Sequence, residues 1–202
     1  MNHFNQVHLS RIGIFGGTFD PPHMGHLVAA EEIRQDFSLQ KVFFVPSARP
    51  PHKLALPLTE AARRLEMISL ATRDNPDFAV SDMEIQRPGP SYTVDTIGEF
   101  KKMYGADLEV YFIMGADSLF EIRTWKDPER LFHLCKVIVA SRPGFSLEQM
   151  DADLRNRIIL ANTTNIDISS TDIRRRVKED KSIRYYVPDQ VEAYIRSKHL
   201  YR

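Results

Sequence analysis

The chain has 202 residues, 43% hydrophobic and 27% charged, and its 27 Lys and Arg balance 27 Asp and Glu. That length can bury a full core in a single domain spanning 1–202, and a zero net charge lacks the basic surplus of a dedicated nucleic-acid binder, so an anion site has to be built locally. One cysteine, Cys135, excludes an internal disulfide framework and a cysteine-only metal cage, and no apolar run approaches the ~20 residues of a membrane span. The first residues, MNHFNQVHLS, lack the basic start and apolar stretch of a signal peptide, so the expectation is a cytoplasmic protein with neither nucleic acid nor membrane as partner.

Short apolar runs alternate with helical stretches along the chain. RIGIF (11–15) reads as a buried strand, followed by a turn-rich loop and by helical spacing over 26–37, with Leu27, Ala30 and Ile33 on one side. KVFFVP (41–46) reads as a second strand and leads into a Pro-rich loop through Lys53; Thr59 opens a long helix. A weaker strand is expected over 78–85, a helix over 93–104, and the clearest buried strand is LEVYFIM (108–114). Strands follow at 136–141 and 157–162, then helices near 170–179 and 188–198. Strands alternating with helices predict α/β architecture: a Rossmann-like, doubly wound, mostly parallel sheet with helices on both faces. The core is expected over 11–176, with a helical tail over 177–202. Such sheets bind ligands beyond the carboxyl ends of their strands, which directs attention to the loops after Phe15, Val45, Met114 and Ala140 and to the turn before Ser170.

The loop after the first strand reads GGTFDPPHMGH (16–26). Gly16 and Gly17 let backbone approach a bulky anion, and His23 and His26 stand where a helix start already favours phosphate. An imidazole there donates to a phosphoryl oxygen and, protonated, adds charge as negative charge develops. Two histidines three apart also fit half of a zinc site, but a structural site needs about four ligands and the single cysteine lies far along the chain. A second feature, ISSTDIR (168–174), reads as another capped helix start, with Ser169 or Ser170 as cap and Arg174 one turn in; hydroxyls, N–H groups and a guanidinium suit a triphosphate.

HMGH at 23–26 resembles the (H/T)xGH signature of the nucleotidyltransferase superfamily, and ISSTDIR resembles its ISSTxIR pattern. SYTVDT (91–96), FIMGADSL (112–119), Thr124–Trp125 and the loop from Pro46 through Lys53 are similar to segments of the bacterial nicotinate-nucleotide adenylyltransferases. The resemblance runs from about residue 11 to 176. It implies transfer of AMP from ATP to nicotinate mononucleotide, giving deamido-NAD and pyrophosphate with Mg²⁺, by direct attack of the substrate phosphate. On this resemblance His23, His26, Lys53 and Arg174 form the catalytic set. Gly16, Gly17, Thr18, Phe19, His23, His26, Ser169, Ser170 and Arg174 bind ATP. Gly17, Lys53, Tyr92, Thr93, Gly115, Asp117 and Trp125 bind the pyridine nucleotide. No protein metal ligand is expected, and Asp20 resembles a structural loop carboxylate.

The chemistry of these residues fits. Trp125, the only tryptophan, offers an indole to stack on a pyridine ring, and a pyridinium adds a cation–π interaction of ~0.5–2 kcal/mol. Tyr92 and Thr93 stand at a helix start suited to a carboxylate. Lys126 departs from the aromatic residue that relatives often carry after the tryptophan, which bears on the outer wall of the pyridine site. Related readings are an adenylyltransferase acting on nicotinamide mononucleotide or phosphopantetheine, though the latter usually carries Thr in place of His23. Cytidylyltransferases share HxGH but lack SYTVDT, and a nucleotide-sensing protein without catalysis would be expected to lose a phosphate ligand. A homo-oligomer is compatible with such a chain.

Overall fold

The computed structural model describes residues 9–50, 58–141 and 152–202. Strand β1 (Arg11–Gly17) leads through the loop to helix α1 (Met24–Asp36), then β2 (Lys41–Pro46), α2 (Ala61–Thr72), β3 (Phe78–Val80), α3 (Met83–Gln86) and α4 (Thr93–Tyr104). The second half runs β4 (Glu109–Gly115), α5 (Ala116–Leu119), a 3-10 turn (Ile122–Thr124), α6 (Pro128–Leu134), β5 (Lys136–Ala140), α7 (Ala152–Arg157), β6 (Ile158–Ala161), α8 (Ser170–Lys178) and α9 (Asp189–Ser197).

The six strands form one sheet in the order β3-β2-β1-β4-β5-β6, and every pairing is parallel. Two winding directions therefore diverge from β1 and β4, and the switch point lies between their carboxyl ends. Both sheet faces are covered, which is why the strands read as continuous apolar runs rather than alternating ones. On one face Ile12, Ile14, Val110, Phe112, Met114, Val137 and Val139 pack against α4 and α6 residues such as Val94, Ile97, Phe100 and Leu131. On the other, Phe15, Phe44, Tyr111, Ile113 and Ile138 pack against Ala30 and Ile33 of α1 and Ile68 of α2. The C-terminal segment adds a third cluster, in which Met67 of α2 meets Ile173, Val191, Tyr194 and Ile195.

Three elements differ from expectation. The strand expected over 78–85 ends at Val80: Ser81 N–H makes a last bond to the Phe44 carbonyl, and the chain then turns into α3, where Glu84 is buried. Helix α6 occupies a stretch to which the sequence reading assigns no element; Asp127 caps it, accepting from Arg130 N–H, and Pro128 stands in its first turn, where a missing N–H costs nothing. Helix α1 starts two residues before the expected 26, with His23 as its N-cap.

Surface charge also fixes α1. Glu31 accepts from Arg34 at 2.8 Å, Gln35 at 2.6 Å and Asn75 at 3.1 Å, and these partners, Arg34 foremost, pull its carboxyl from 4.5 down to about 2. A depressed folded pKa means stability that is fully present above the unfolded value and is lost as pH falls through the folded one. With its side chain 30% exposed, the site contributes about 1 kcal/mol. Urea unfolding of Glu31→Gln should show that loss at pH 7, and the gap from the parent protein should shrink as pH falls from 4.5 toward 2. A gap independent of pH would remove the ionic contribution.

Candidate functional site

The loop from Gly16 to His26 leaves β1 at the switch point and is held from beneath by buried polar groups. Arg64 of α2, 1% exposed, donates to the carbonyls of Thr18 at 2.8 Å, Thr59 at 2.8 Å and Ala48 at 3.5 Å. Burial pulls the Arg64 pKa down, and the nearby Asp20 carboxylate opposes that pull. Asp20, also 1% exposed, accepts from Tyr201 hydroxyl at 2.7 Å and from Thr59 N–H at 3.1 Å. Its two oxygens are thus engaged structurally, as the sequence suggested. Phe19, 2% exposed, takes a left-handed φ of 49° and sets its ring edge-on to His26 at 5.1 Å. A bulky residue persists in that region only where its surroundings dictate it.

The two histidines of the HMGH segment form one unit. Their rings stack with centroids 3.6 Å apart and planes 24° from parallel, and His23 is 2% exposed. His23 N–H donates to His26 Nδ1 at 3.2 Å. An accepting Nδ1 means that a neutral His26 carries its proton on Nε2, so that atom is the donor. Gly25 packs closely under the stack: a Cβ there would stand 3.1 Å from His23 Nδ1, so the ring would have to give by a few tenths of an ångström. The helix start is less open than the sequence suggested, because Met24 N–H donates to the Tyr186 carbonyl at 2.9 Å and His26 N–H to the His23 carbonyl at 3.0 Å.

Helix α8 docks on the same loop. Ser169 is its N-cap, accepting from Asp172 N–H at 3.0 Å, and Ser170 hydroxyl donates to the Pro21 carbonyl at 2.8 Å. Arg174 donates to the Asp20 carbonyl at 2.7 Å and to Thr171 hydroxyl at 3.2 Å. These bonds engage two of its five N–H donors. A cavity of about 300 Å³ lies between loop and helix, and Gly16, Thr18, Phe19, both histidines, Ser169, Ser170 and Arg174 all line it. Thr163 and Thr164 after β6 line it too, residues that sequence reasoning passes over although they sit at a strand's carboxyl end; Glu32 holds Thr164 N–H at 2.7 Å.

A second cavity, about 390 Å³, opens on the other side of the loop. Gly16, Gly17, Thr18 and Ser118 line both cavities. Gly16 has no room for a side chain, since a Cβ would fall 2.9 Å from the Phe112 ring. Tyr92 is the N-cap of α4 and Thr93 its first residue, as expected. Their turn is fixed by Ser91, whose hydroxyl oxygen accepts from the N–H groups of Ala48 and Arg49. It is fixed again by Glu84, which accepts from Thr96 hydroxyl at 2.6 Å and hydrogen-bonds with Ser91. Glu84 is 7% exposed and lines the cavity, and burial pushes its carboxyl pKa up; a buried acid within this motif region carries no sequence signal of its own.

Trp125 caps the 3-10 turn and lines this second cavity, its ring edge-on to Phe112 at 6.0 Å. Its Nε1 is buried and has no acceptor among the described residues. Lys126 completes the outer wall: its ammonium is 2.8 Å from Asp95 and 4.8 Å above the Tyr92 ring. Gly115 ends β4 but lines the first cavity rather than the second, and Asp117 lies on α5 just beyond it. Lys53 lies outside the described residues. Among the described residues no group of three or more His, Cys, Asp and Glu could hold a metal ion, and no helix is long and apolar enough to cross a membrane.

The cytidylyltransferase-like family matches residues 14–176. The protein named probable nicotinate-nucleotide adenylyltransferase of Moorella thermoacetica is 54% identical over 199 residues, covering 95% of this chain and 92% of its own. A protein of the same name from Thermus thermophilus is 46% identical, with 95% and 100% covered. Among solved structures, the Plasmodium falciparum nicotinic acid mononucleotide adenylyltransferase complexed with NaAD superposes with a TM-score of 0.79 at 22% identity, covering 95% of this chain and 97% of that one; at that identity the likeness speaks for the fold. With a family match across most of its length and full-length relatives near half identity, the chain belongs to the nicotinate-nucleotide adenylyltransferases of the cytidylyltransferase-like family.

Proposed function

We propose that the protein transfers AMP from ATP to nicotinate mononucleotide, releasing pyrophosphate and forming the deamido dinucleotide. The observation that carries this reading is the shared wall: one glycine-rich loop separates a cavity lined by two histidines and Arg174 from a cavity lined by Trp125 and the Tyr92–Thr93 turn. Triphosphate in the first and mononucleotide in the second bring their phosphates together across Gly16–Thr18.

The attacking group is a phosphate, already ionised at neutral pH, so no general base is needed to generate the nucleophile. The task is to hold two anions in line and to stabilise charge on the departing pyrophosphate. His26, with its proton on Nε2, donates to a phosphoryl oxygen. Arg174 serves the β and γ phosphates with the donors not engaged by Asp20 and Thr171, and Ser169 and Ser170 contribute the start of α8. Lys53 belongs to the same set by its place in the motif loop. The described residues offer no cage for a resident metal. Mg²⁺ accompanies the triphosphate as part of the substrate, and the proposed site of action is the cytoplasm.

On the pyridine side the Trp125 ring is the stacking surface and its orphaned N–H suits an acceptor on the ligand. The Tyr92–Thr93 turn receives the carboxylate, and Lys126 adds a positive charge at the same wall. An acid is favoured over the amide because the amide presents a donor to donors.

Two outcomes test this. Gly25→Ala should shift the His23 ring within its stack and lower turnover severalfold while the protein stays folded, checked by pyrophosphate release and circular dichroism; unchanged turnover would separate the ring's exact seat from the chemistry. Trp125→Ala should raise the KM for the pyridine nucleotide by roughly 5- to 150-fold, the equivalent of ~1–3 kcal/mol of lost stacking, with little change for ATP. Parent-enzyme assays comparing nicotinate mononucleotide, nicotinamide mononucleotide and phosphopantetheine should favour the first. Equal use of acid and amide, or a Trp125→Ala defect confined to ATP, would overturn the nicotinate assignment.

A further inference from the structure

The last turn of the chain reaches back 181 residues to the catalytic loop. Tyr201 hydroxyl donates to Asp20 Oδ1 at 2.7 Å and lies 3.8 Å from Met67 Sδ. The backbone turns to deliver it through two residues with left-handed φ, His199 at 51° and Tyr201 itself at 66°. Neither is a glycine, so the conformation is maintained by what the tail touches. Leu200 between them is buried in the C-terminal cluster. Burial and the facing carboxylate push the phenol pKa up, keeping it a donor throughout the neutral range.

The partner of Tyr201 is the residue that binds the loop to the ATP cavity. While the Asp20 side chain accepts from Tyr201 and Thr59, its carbonyl accepts from Arg174, and the next carbonyl, that of Pro21, accepts from Ser170. Moving Asp20 thus moves the backbone against which Arg174 and Ser170 are set, three residues before the histidine stack. None of the residues joined by these four bonds lines the Trp125 cavity.

We propose that Tyr201 is a positioning residue: through Asp20 it holds the loop in the register in which Arg174, Ser170 and the two histidines face one cavity. The segment around Tyr201 is accordingly a latch for the phosphate side of the site. This rests on the adenylyltransferase reading for its kinetic consequence, but the latch itself is a property of the free protein.

The test uses Tyr201→Phe, which keeps the ring and removes one oxygen, beside Tyr194→Phe, which removes the hydroxyl that bonds Glu66 at 2.7 Å on the same tail without touching the loop. Steady-state kinetics should show kcat about tenfold lower for Tyr201→Phe, with the KM for nicotinate mononucleotide within about twofold of the parent. Tyr194→Phe should lose thermal stability and keep kcat. Hydrogen exchange on the ligand-free proteins should show Gly17 to Met24 amides opening about tenfold faster in Tyr201→Phe alone, with those of β4 unchanged. Unchanged kcat, unchanged exchange in that segment, a KM that rises with the fall in kcat, or the same losses in Tyr194→Phe would each overturn the proposal. If the parent enzyme fails to use nicotinate mononucleotide, the functional reading falls and the exchange experiment alone decides the latch.

Discussion

The loop after β1 has no regular ladder or helix of its own, yet it runs through the protein interior, so its polar groups must find partners from elsewhere. Arg64 meets that requirement from below, spanning the carbonyls of Thr18, Thr59 and Ala48, while Asp20 gathers Tyr201 and the Thr59 amide. Leaving either group unpaired at 1% exposure would cost the full desolvation of a buried charge, so the loop has one satisfactory conformation rather than several. The proposed catalysis depends on that single conformation, because the loop is a wall of both cavities.

The parallel sheet supplies the rest. With β1 and β4 side by side and the chain winding outward in both directions, the loops after β1 and β4 open at the same edge, and the start of α8 arrives there from the far half of the chain. The histidines, Ser169, Ser170 and Arg174 lie on one side of the glycines and Trp125 and Tyr92 on the other, which is the division that the proposed reaction uses. A rigid partition of this kind suits a reaction in which two anions must be brought together, since repulsion is met by groups already in place rather than by groups that move.

How much of this is legible in the sequence depends on how local each signal is. β4 can be read because burial on both faces makes LEVYFIM apolar throughout, and GGTFDPPHMGH and ISSTDIR carry their glycines, histidines and caps within a few residues. The short α6 escapes sequence reading because seven residues show barely two helical turns, although Asp127–Pro128 is a start signal. β3 is expected too long because the apolar spacing through Ile85 continues after the backbone has turned. Partnerships across the chain leave no local trace: nothing near Glu84 announces its burial beneath Ser91 and Thr96, and nothing near Tyr201 announces Asp20. Sequence reasoning makes Arg174 a phosphate ligand only, whereas its first bonds are to the loop it stands beside.

The central claim is a single displacement across the shared loop, with no covalent enzyme intermediate. The most direct measurement is the stereochemical course of transfer from ATP made chiral at the α-phosphorus by sulfur, read by phosphorus NMR of the dinucleotide product. One in-line attack inverts that centre, and inversion is the result the two facing cavities predict. Retention would contradict the account, because it requires two successive displacements through a nucleophile on the protein, for which the stacked His23 and His26 would be the first residues to examine.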